Sequence, residues 1–351
     1  MQTARLGAAW ELSPVSPQAR EKVGVPRLTQ PCDSHPPRGP TLGLVLSSGR
    51  TWPLPIPPDE PFTFEVFSKL GGTRWQLERW VAEGVVVRVF NSVYLPAAAA
   101  NDLGVRVAAL KLVLPEHAVV VDRTAAWLWE VNAFSPSQQD GSMDLEVFVL
   151  RGHKRFTRTG AHGGERDLTA RDLVDVEGIR VTTPLRTALD LACGLSRAEG
   201  LASVDALMRI HGLTREAMQQ ELPRFRGRRG VVQARALVEL ADPRAESPGE
   251  SFTRLAIHDE GLPAPTPQLW VTDLGGRRWR LDLGYESERV AVEYDGEQYH
   301  SSRQQRERDR LRRAALAEAG WTVIVVDRTS FKNATLFPWL HRLRRALEGR
   351  R

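Results

Sequence analysis

The stretch RWRLDLGYESERVAVEYD, residues 278–295, decides the fold of the last part of this chain. Two runs of strand-forming residues flank a short polar segment, a pattern typical of a β-hairpin. Side chains alternate between the faces of a strand, so Asp282 lies on one face of the first run, and Glu293 and Asp295 share one face of the second. If the turn is centred between residues 287 and 288, Asp282 lies opposite Glu293, with Cβ atoms about 5 Å apart. The hairpin therefore gathers carboxylates on one face.

The segments on either side of this hairpin predict further elements in a mixed order. Ser247 and Pro248 are an N-cap and a first-turn proline, and they begin a helix that ends at Gly261. The predicted strands and later helix span residues 268–273, 278–285, 290–295, 302–319 and 321–326. A strand, a long crossover helix and another strand form a parallel pair. The predicted order is αβββαβ, within an α/β, α+β multidomain fold.

The gathered acids predict a metal site. Like charges directly opposite one another on a sheet are destabilising, and a divalent cation held by carboxylate oxygens offsets this. Mg²⁺ or Mn²⁺ fits better than zinc, because the two cysteines are isolated and no close histidine pair is present. Glu250 has two open roles, as the acid of a capping box and as a further metal ligand. The alternative is that these acids lie on a solvated face or pair with nearby arginines.

The segment from Glu250 to Gly320 resembles the uncharacterised proteins related to very-short-patch-repair endonucleases, within the PD-(D/E)XK superfamily. The matching residues are Glu250, Leu281-Asp282-Leu283, Val292-Glu293-Tyr294-Asp295-Gly296, Tyr299-His300, Asp309 with Arg312, and Gly320-Trp321. This resemblance implies a restriction-endonuclease-like core that hydrolyses DNA phosphodiester bonds, with Asp282, Glu293, Asp295 and Glu250 as catalytic and metal-binding residues.

One position departs from the superfamily pattern. The pattern has a lysine two residues after the second acid, where this chain has Asp295, and no lysine occurs between Glu250 and Phe331. His300 follows the same strand closely and is the candidate for a general base. The alternative is a structural histidine in a loop.

Arginines of the predicted crossover helix are candidates for DNA contact. Arg303, Arg306, Arg310 and Arg313 recur at spacings of three, four and three, which places them in one stripe suited to backbone phosphates. The alternative is a solvated face with local ion pairs. From Ser301 to Arg351 the chain carries 13 basic and five acidic residues, so the positive charge is concentrated here.

The rest of the chain divides by composition. Residues 1–60 contain 11 of the 23 prolines and predict a disordered extension. Residues 61–100 follow the order helix, turn, helix, hairpin of a winged helix-turn-helix, with Arg74 and Arg79 as candidate DNA contacts or ordinary surface arginines. Residues 62–95 resemble the winged-helix part of AbiEi-type antitoxins. The sequence further predicts a mostly helical middle domain at 101–243 and the nuclease-like domain at 244–351.

Composition bounds the function. The chain has 351 residues, a net charge of +5 and two distant cysteines, which favour a multidomain cytoplasmic protein. No apolar run reaches membrane-spanning length, so no membrane partner is expected. The predicted partner is DNA, and the sequence does not indicate an oligomeric state. The predicted function is a Mg²⁺-dependent DNA endonuclease in bacterial DNA processing or phage defence. The alternative is a non-catalytic, antitoxin-like DNA-binding regulator that retains a nuclease fold.

Overall fold

The computed structural model describes residues 57, 59–133, 143–153, 156–157, 159–296 and 303–349, without the side chains of residues 303–306, 333 and 334. The predicted disordered extension lies outside these residues, apart from 57, 59 and 60. Every helix within these ranges is too short or too polar to span a bilayer.

Helices and strands alternate along the described ranges. The helices are α1 Phe64–Lys69, α2 Arg74–Ala82, α3 Leu103–Lys111, α4 Asp122–Leu128, α5 Pro184–Gly194, α6 Arg197–His211, α7 Arg215–Glu221, α8 Val231–Leu240, α9 Pro248–Asp259, α10 Arg303–Glu318 and α11 Asn333–Glu348. The strands are β1 Phe62–Thr63, β2 Val86–Phe90, β3 Val93–Pro96, β4 Ala118–Val120, β5 Leu145–Val149, β6 Ala161–Glu165, β7 Leu173–Val176, β8 Ile179–Thr182, β9 Thr266–Thr272, β10 Arg278–Tyr285, β11 Val290–Asp295 and β12 Thr322–Asp327.

The first part is a pair of short helices followed by a hairpin. Thr73 starts α2 with a capping box, in which its hydroxyl accepts the Gln76 N–H and the Gln76 side chain accepts the Thr73 N–H. Ser92 has φ of 63°, which closes the tight turn between β2 and β3. The sheet order is β1-β3-β2, so a two-residue strand that the sequence analysis did not predict adds a third strand to the hairpin.

The middle part contains more sheet than its sequence predicted. Five strands pair in the order β6-β5-β4-β8-β7, whereas the sequence predicted a mostly helical domain. Strand β4 has three residues and β6 reads AHGGE, so neither has a clear apolar alternation. Helices α5 to α8 follow and pack around one apolar core that includes Leu189, Leu201 and Leu237.

A buried charge network joins this sheet to the helices. The Arg166 guanidinium donates two 2.8 Å hydrogen bonds to Asp122 and one of 2.9 Å to Asp190 on α5. Arg224, just after α7, donates to both oxygens of Asp172 at 2.8 and 2.7 Å. Burial alone would raise the pKa of Asp172, but hydrogen bonds from Arg224 and Thr169 hold that pKa well below its ordinary value.

Asp172→Asn is expected to lower the free energy of unfolding by about 2 kcal/mol at pH 7, because it removes the negative partner of a charged hydrogen bond. A lowered pKa contributes stability that is present above the ordinary value of 3.8 and is lost as pH falls through the folded-state value. The difference in the free energy of unfolding between wild type and variant should therefore become smaller below about pH 4. Urea unfolding at pH 7 and pH 3 measures this, and an unchanged difference would contradict it.

The last part is a four-stranded sheet between helices. The strand order is β12-β11-β10-β9, with β11 and β12 parallel and the other pairs antiparallel. Ile257 of α9 and Leu343 of α11 pack with Val292 on one face, and Leu316 of α10 packs with Ala291 on the other. The element order from α9 to β12 is the predicted αβββαβ. Helix α11 follows it and was not predicted, although its Trp339, Leu340, Leu343 and Leu347 complete the first face.

Strand β10 departs from the simple alternation that its sequence predicts. Leu281 packs in the α10-side core, whereas Leu283 and Tyr285 pack in the core beside α9 and α11. The apolar residue before Asp282 therefore faces one core and those after it face the other, instead of all facing the same side of the strand. Gln268, on the paired strand β9 beside this position, has φ of 55°, a left-handed conformation that is unusual in a strand and marks a local irregularity.

Helix α9 belongs to two cores. Leu255 packs in the core of the middle helices, while Ile257, half a turn further along, packs on the last sheet. The buried Asp205 of α6 accepts a 2.7 Å hydrogen bond from the Ser251 hydroxyl and forms a 2.5 Å ion pair with Arg254. A single helix thus connects the middle part to the sheet that carries the predicted acids.

Candidate active site

The first turn of α9 positions Glu250. The Ser247 hydroxyl accepts the Glu250 N–H at 3.2 Å, and Pro248 occupies the first helical turn, as predicted. Gly249 lies flat against the Tyr294 ring, since a Cβ at this glycine would come within 2.2 Å of ring atoms. Only glycine allows this approach, which brings the start of α9 against the end of β11.

The Glu250 carboxylate is buried and held by two donors. Its Oε2 accepts the Glu246 backbone N–H at 3.0 Å and the Gln268 side-chain amide at 2.7 Å. The backbone partner is the residue before the N-cap, so Glu250 closes the helix start one residue further back than a standard capping box. Burial raises the pKa of Glu250; the Glu246 N–H opposes the rise, and the negative charge of Asp282 adds to it.

Asp282 lies in the predicted register. Leu283 pairs with Val292 and Tyr285 with Val290, the alignment that places Asp282 across from Glu293. The described pairing ends at Leu283, and the Asp282 carboxylate accepts the Tyr294 backbone N–H at 2.9 Å. Burial raises the pKa of Asp282; the Tyr294 N–H opposes this, and the charge of Glu293 adds to the rise.

Glu293 is neutralised by an arginine. The Arg312 guanidinium on α10 donates to both Glu293 oxygens, at 2.8 and 2.5 Å, and also to the Arg280 carbonyl at 2.8 Å. Glu293 is 8% exposed, so the pair is largely desolvated. The pairing of these acids with arginine, left open by the sequence, is therefore present for Glu293, and the carboxylates persist together without needing a cation to balance all of their charge.

Asp295 ends β11 two residues beyond Glu293. It is half-buried and aligns with Asp327 of the parallel strand β12. Within the described ranges, no three His, Cys, Asp or Glu side chains are grouped as a metal site. His300, the predicted general base, lies outside the described residues.

The predicted phosphate-binding arginines have varied surroundings. Arg303 and Arg306 belong to α10 but their side chains lie outside the described set. Arg310 is exposed and forms a two-bond ion pair with Glu307, at 2.9 and 2.7 Å, and Arg313 is also exposed. On α2, Arg79 pairs with Glu83 at 2.9 Å, and the Arg74 guanidinium lies 4.6 Å from the Phe64 ring centroid. Exposed ion pairs of this kind contribute little stability.

Two residues of the site were not predicted from the sequence. Arg312 appeared only as part of a motif, although Leu316 and Ala319 follow it at spacings of four and seven and share its inward face. That spacing was the signal that this arginine points toward the sheet. Gln268 carried no comparable signal, because its contact with Glu250 depends on an unusual backbone conformation.

Two family models match the chain. Residues 270–336 match REase_MTES_1575, a restriction-endonuclease-like domain, which spans the Asp282, Glu293 and Arg312 positions. Residues 117–242 match the AbiEi antitoxin C-terminal domain. The antitoxin match thus covers the middle five-stranded sheet and helices, and it does not extend to residues 62–95, where the sequence analysis placed that resemblance.

Similar proteins occur in Mycobacterium tuberculosis. The uncharacterized protein MT2308 of strain CDC 1551 and the uncharacterized protein Rv2248 of strain H37Rv are each 37% identical to this chain over 257 residues. The alignment covers 73% of this chain and 91% of each relative. The chain belongs to the family of these mycobacterial proteins.

Proposed function

We propose that this protein is a DNA endonuclease of the PD-(D/E)XK type, related to very-short-patch-repair enzymes, that uses Mg²⁺ or Mn²⁺. The observation that carries the proposal is that Asp282 and Glu293 lie across from each other on β10 and β11 of the restriction-endonuclease-like segment, and the buried Glu250 of α9 is close enough for the charge of Asp282 to raise its pKa. Raised pKa values at Glu250 and Asp282, each increased by a neighbouring carboxylate, are a common property of catalytic sites.

The donor chemistry of this site fits a hard divalent cation. Glu250, Asp282 and Glu293 offer only carboxylate oxygens, the ligands that Mg²⁺ and Mn²⁺ prefer. The mutual charge effect between Glu250 and Asp282 is one that a cation would relieve. In the present arrangement Arg312 holds both oxygens of Glu293, so we assign the metal first to Asp282 and Glu250, with Glu293 and Asp295 as additional ligands.

Each residue then has a distinct task. A bound cation would supply a water of lowered pKa and neutralise charge that develops on the phosphate. Asp282 is oriented by the Tyr294 N–H, and Glu250 is oriented by Gln268 and the Glu246 N–H, so both carboxylates are held before substrate arrives. Arg312 neutralises Glu293 in the absence of substrate. His300 is proposed as the group that accepts a proton, in place of the usual lysine.

Basic side chains would hold the DNA. We assign backbone phosphates to Arg303, Arg306, Arg310 and Arg313 on the crossover helix. We propose that residues 61–100 form a winged helix whose Arg74 and Arg79 add contacts to DNA. Contacts of this kind give binding that weakens steeply with salt and carries little sequence information.

The proposal is tested by incubating purified protein with supercoiled plasmid, single-stranded DNA and mismatched duplex, each with Mg²⁺, Mn²⁺ or EDTA. Cleavage that requires the metal supports an endonuclease, and the three substrates report which DNA structure is preferred. Absence of cleavage on all three, with either metal, would refute the proposal.

A second function is favoured by two observations. The Glu293–Arg312 pair neutralises an acid that the reaction needs, and the middle domain matches an antitoxin domain. Both suit a DNA-binding regulator that has kept a nuclease fold. Tight operator binding by wild type that is unaffected by EDTA, with no cleavage, would support the regulator over the enzyme.

A further inference from the structure

The hairpin of β9 and β10 carries an exposed patch of aromatic and basic side chains. We define this hairpin patch as Trp270, Arg278 and Arg280, with Leu274 in the connecting turn. Trp270 is 53% exposed and Leu274, in the connecting turn, is 78% exposed. Large apolar side chains so open to water, next to two exposed arginines, are a feature of binding surfaces.

The arginines of the patch are arranged around the Trp270 ring. Arg280 is the cross-strand partner of Trp270, and its guanidinium lies 6.0 Å from that ring centroid. Arg278 lies 4.8 Å from the same centroid. Trp270 therefore keeps an exposed aromatic surface next to two guanidinium groups.

A continuous set of contacts connects the patch to the candidate active site. Arg280 forms a two-bond ion pair with Glu246, at 2.8 and 2.7 Å, and the Glu246 N–H is bound by the Glu250 carboxylate. The Arg280 carbonyl accepts from Arg312, the partner of Glu293. Arg280 is also two residues from Asp282, about 7 Å along the strand. A nucleic acid strand held at the patch would therefore continue past the carboxylates.

Building on the nuclease function proposed above, we propose that the hairpin patch binds unpaired nucleotides of the DNA substrate. A base stacks on the Trp270 ring, and Arg278 and Arg280 contact the flanking phosphates. Unpaired bases offer the free π faces that stacking needs, whereas bases within a duplex already stack on each other. Arg278 and Arg280 match the charge of a phosphate backbone, with Arg280 exchanging Glu246 for phosphate, and this favours nucleic acid over an apolar protein partner. The substrate is thus DNA with unpaired, unstacked nucleotides.

The test is fluorescence anisotropy in EDTA, with labelled oligo-dT of about 20 nucleotides and a duplex of the same length. Trp270→Ala is expected to weaken oligo-dT binding roughly tenfold, through loss of one stacked base, with little change for the duplex. Trp270→Phe should stay close to wild type, since it keeps an aromatic face. Phe337→Ala is the matched control, because Phe337 is an aromatic residue of similar exposure, 52%, on α11.

The inference is overturned if Trp270→Ala binds oligo-dT like wild type, if the variant loses duplex and oligo-dT affinity equally, or if wild type does not bind oligo-dT. These outcomes are separable from failure of the nuclease proposal. If wild type binds oligo-dT through Trp270 in EDTA but cleaves no DNA with Mg²⁺, the patch proposal is supported and the nuclease proposal is refuted. If the protein cleaves DNA and Trp270→Ala binds oligo-dT like wild type, the nuclease proposal is supported and the patch proposal is refuted.

Discussion

Asp282→Asn is expected to abolish metal-dependent DNA cleavage while the fold is retained. The reason is that Asp282 is the carboxylate most directly assigned to the cation, and metal stabilisation of a transition state is worth several kcal/mol. At about 1.4 kcal/mol per factor of ten, this corresponds to a loss of roughly a thousandfold in rate. The measurement is plasmid nicking under single-turnover conditions with Mg²⁺ and with Mn²⁺.

Stability provides the control for this variant. Asparagine keeps an oxygen that accepts the Tyr294 N–H, and it removes a charge that the folded state disfavours. Since the pKa of Asp282 is raised, ionisation destabilises the folded state at neutral pH, and this cost disappears as pH falls below the ordinary value of 3.8. In EDTA at pH 7, Asp282→Asn should therefore be at least as stable as wild type. Undiminished cleavage by the folded variant would remove Asp282 from the active site.

Arg312→Gln is expected to lower the free energy of unfolding by about 3 to 5 kcal/mol at neutral pH. Glu293 is 8% exposed and would lose the guanidinium that now binds both of its oxygens, which leaves a buried acid without its partner. Chemical unfolding in EDTA measures the loss. Under the proposed function, Mg²⁺ or Mn²⁺ should stabilise this variant more than wild type, because Glu293 becomes available as a ligand.

The double variant Arg312→Gln, Glu293→Gln isolates the ion pair. Removing both charges should recover most of the lost stability, since no buried charge is left unpaired. If the double variant is as unstable as the single one, Arg312 acts instead through its hydrogen bond to the Arg280 carbonyl or through packing. A divalent-cation effect of equal size in wild type and Arg312→Gln would argue against Glu293 as a ligand.

Much of the last domain follows from local sequence pattern. The period-two alternation and the short polar turn between β10 and β11 are enough to set their register, and the pairing of Leu283 with Val292 agrees with the predicted alignment. The proline and glycine at either end of α9 likewise mark its bounds. These features depend on residues that are neighbours in the sequence, so they can be predicted from local sequence pattern.

The remaining features depend on tertiary contacts. Which face of α10 meets the sheet is decided by Leu316 and Ala319 entering the core, and this turns Arg312 toward Glu293. Arg310 and Arg313 of the predicted stripe are exposed. The division of apolar residues at Asp282 follows a backbone irregularity that no alternation rule contains. Helix α11 was not predicted from the sequence, because its apolar residues complete a core whose other members lie far away in sequence.

Helix α9 packs in two hydrophobic cores, and this limits where the chain can be cut into fragments. A fragment beginning at residue 244 would leave Leu255 open to water and would strip Asp205 of Ser251 and Arg254 in the portion left behind. The fragment would keep Ser247, Glu246 and Gln268, which hold Glu250, but the helix that carries Glu250 would lose the packing of its other face. Chimaeras between members of this family should therefore exchange residues 117–349 as one segment, because the antitoxin-like and nuclease-like parts both pack on helix α9.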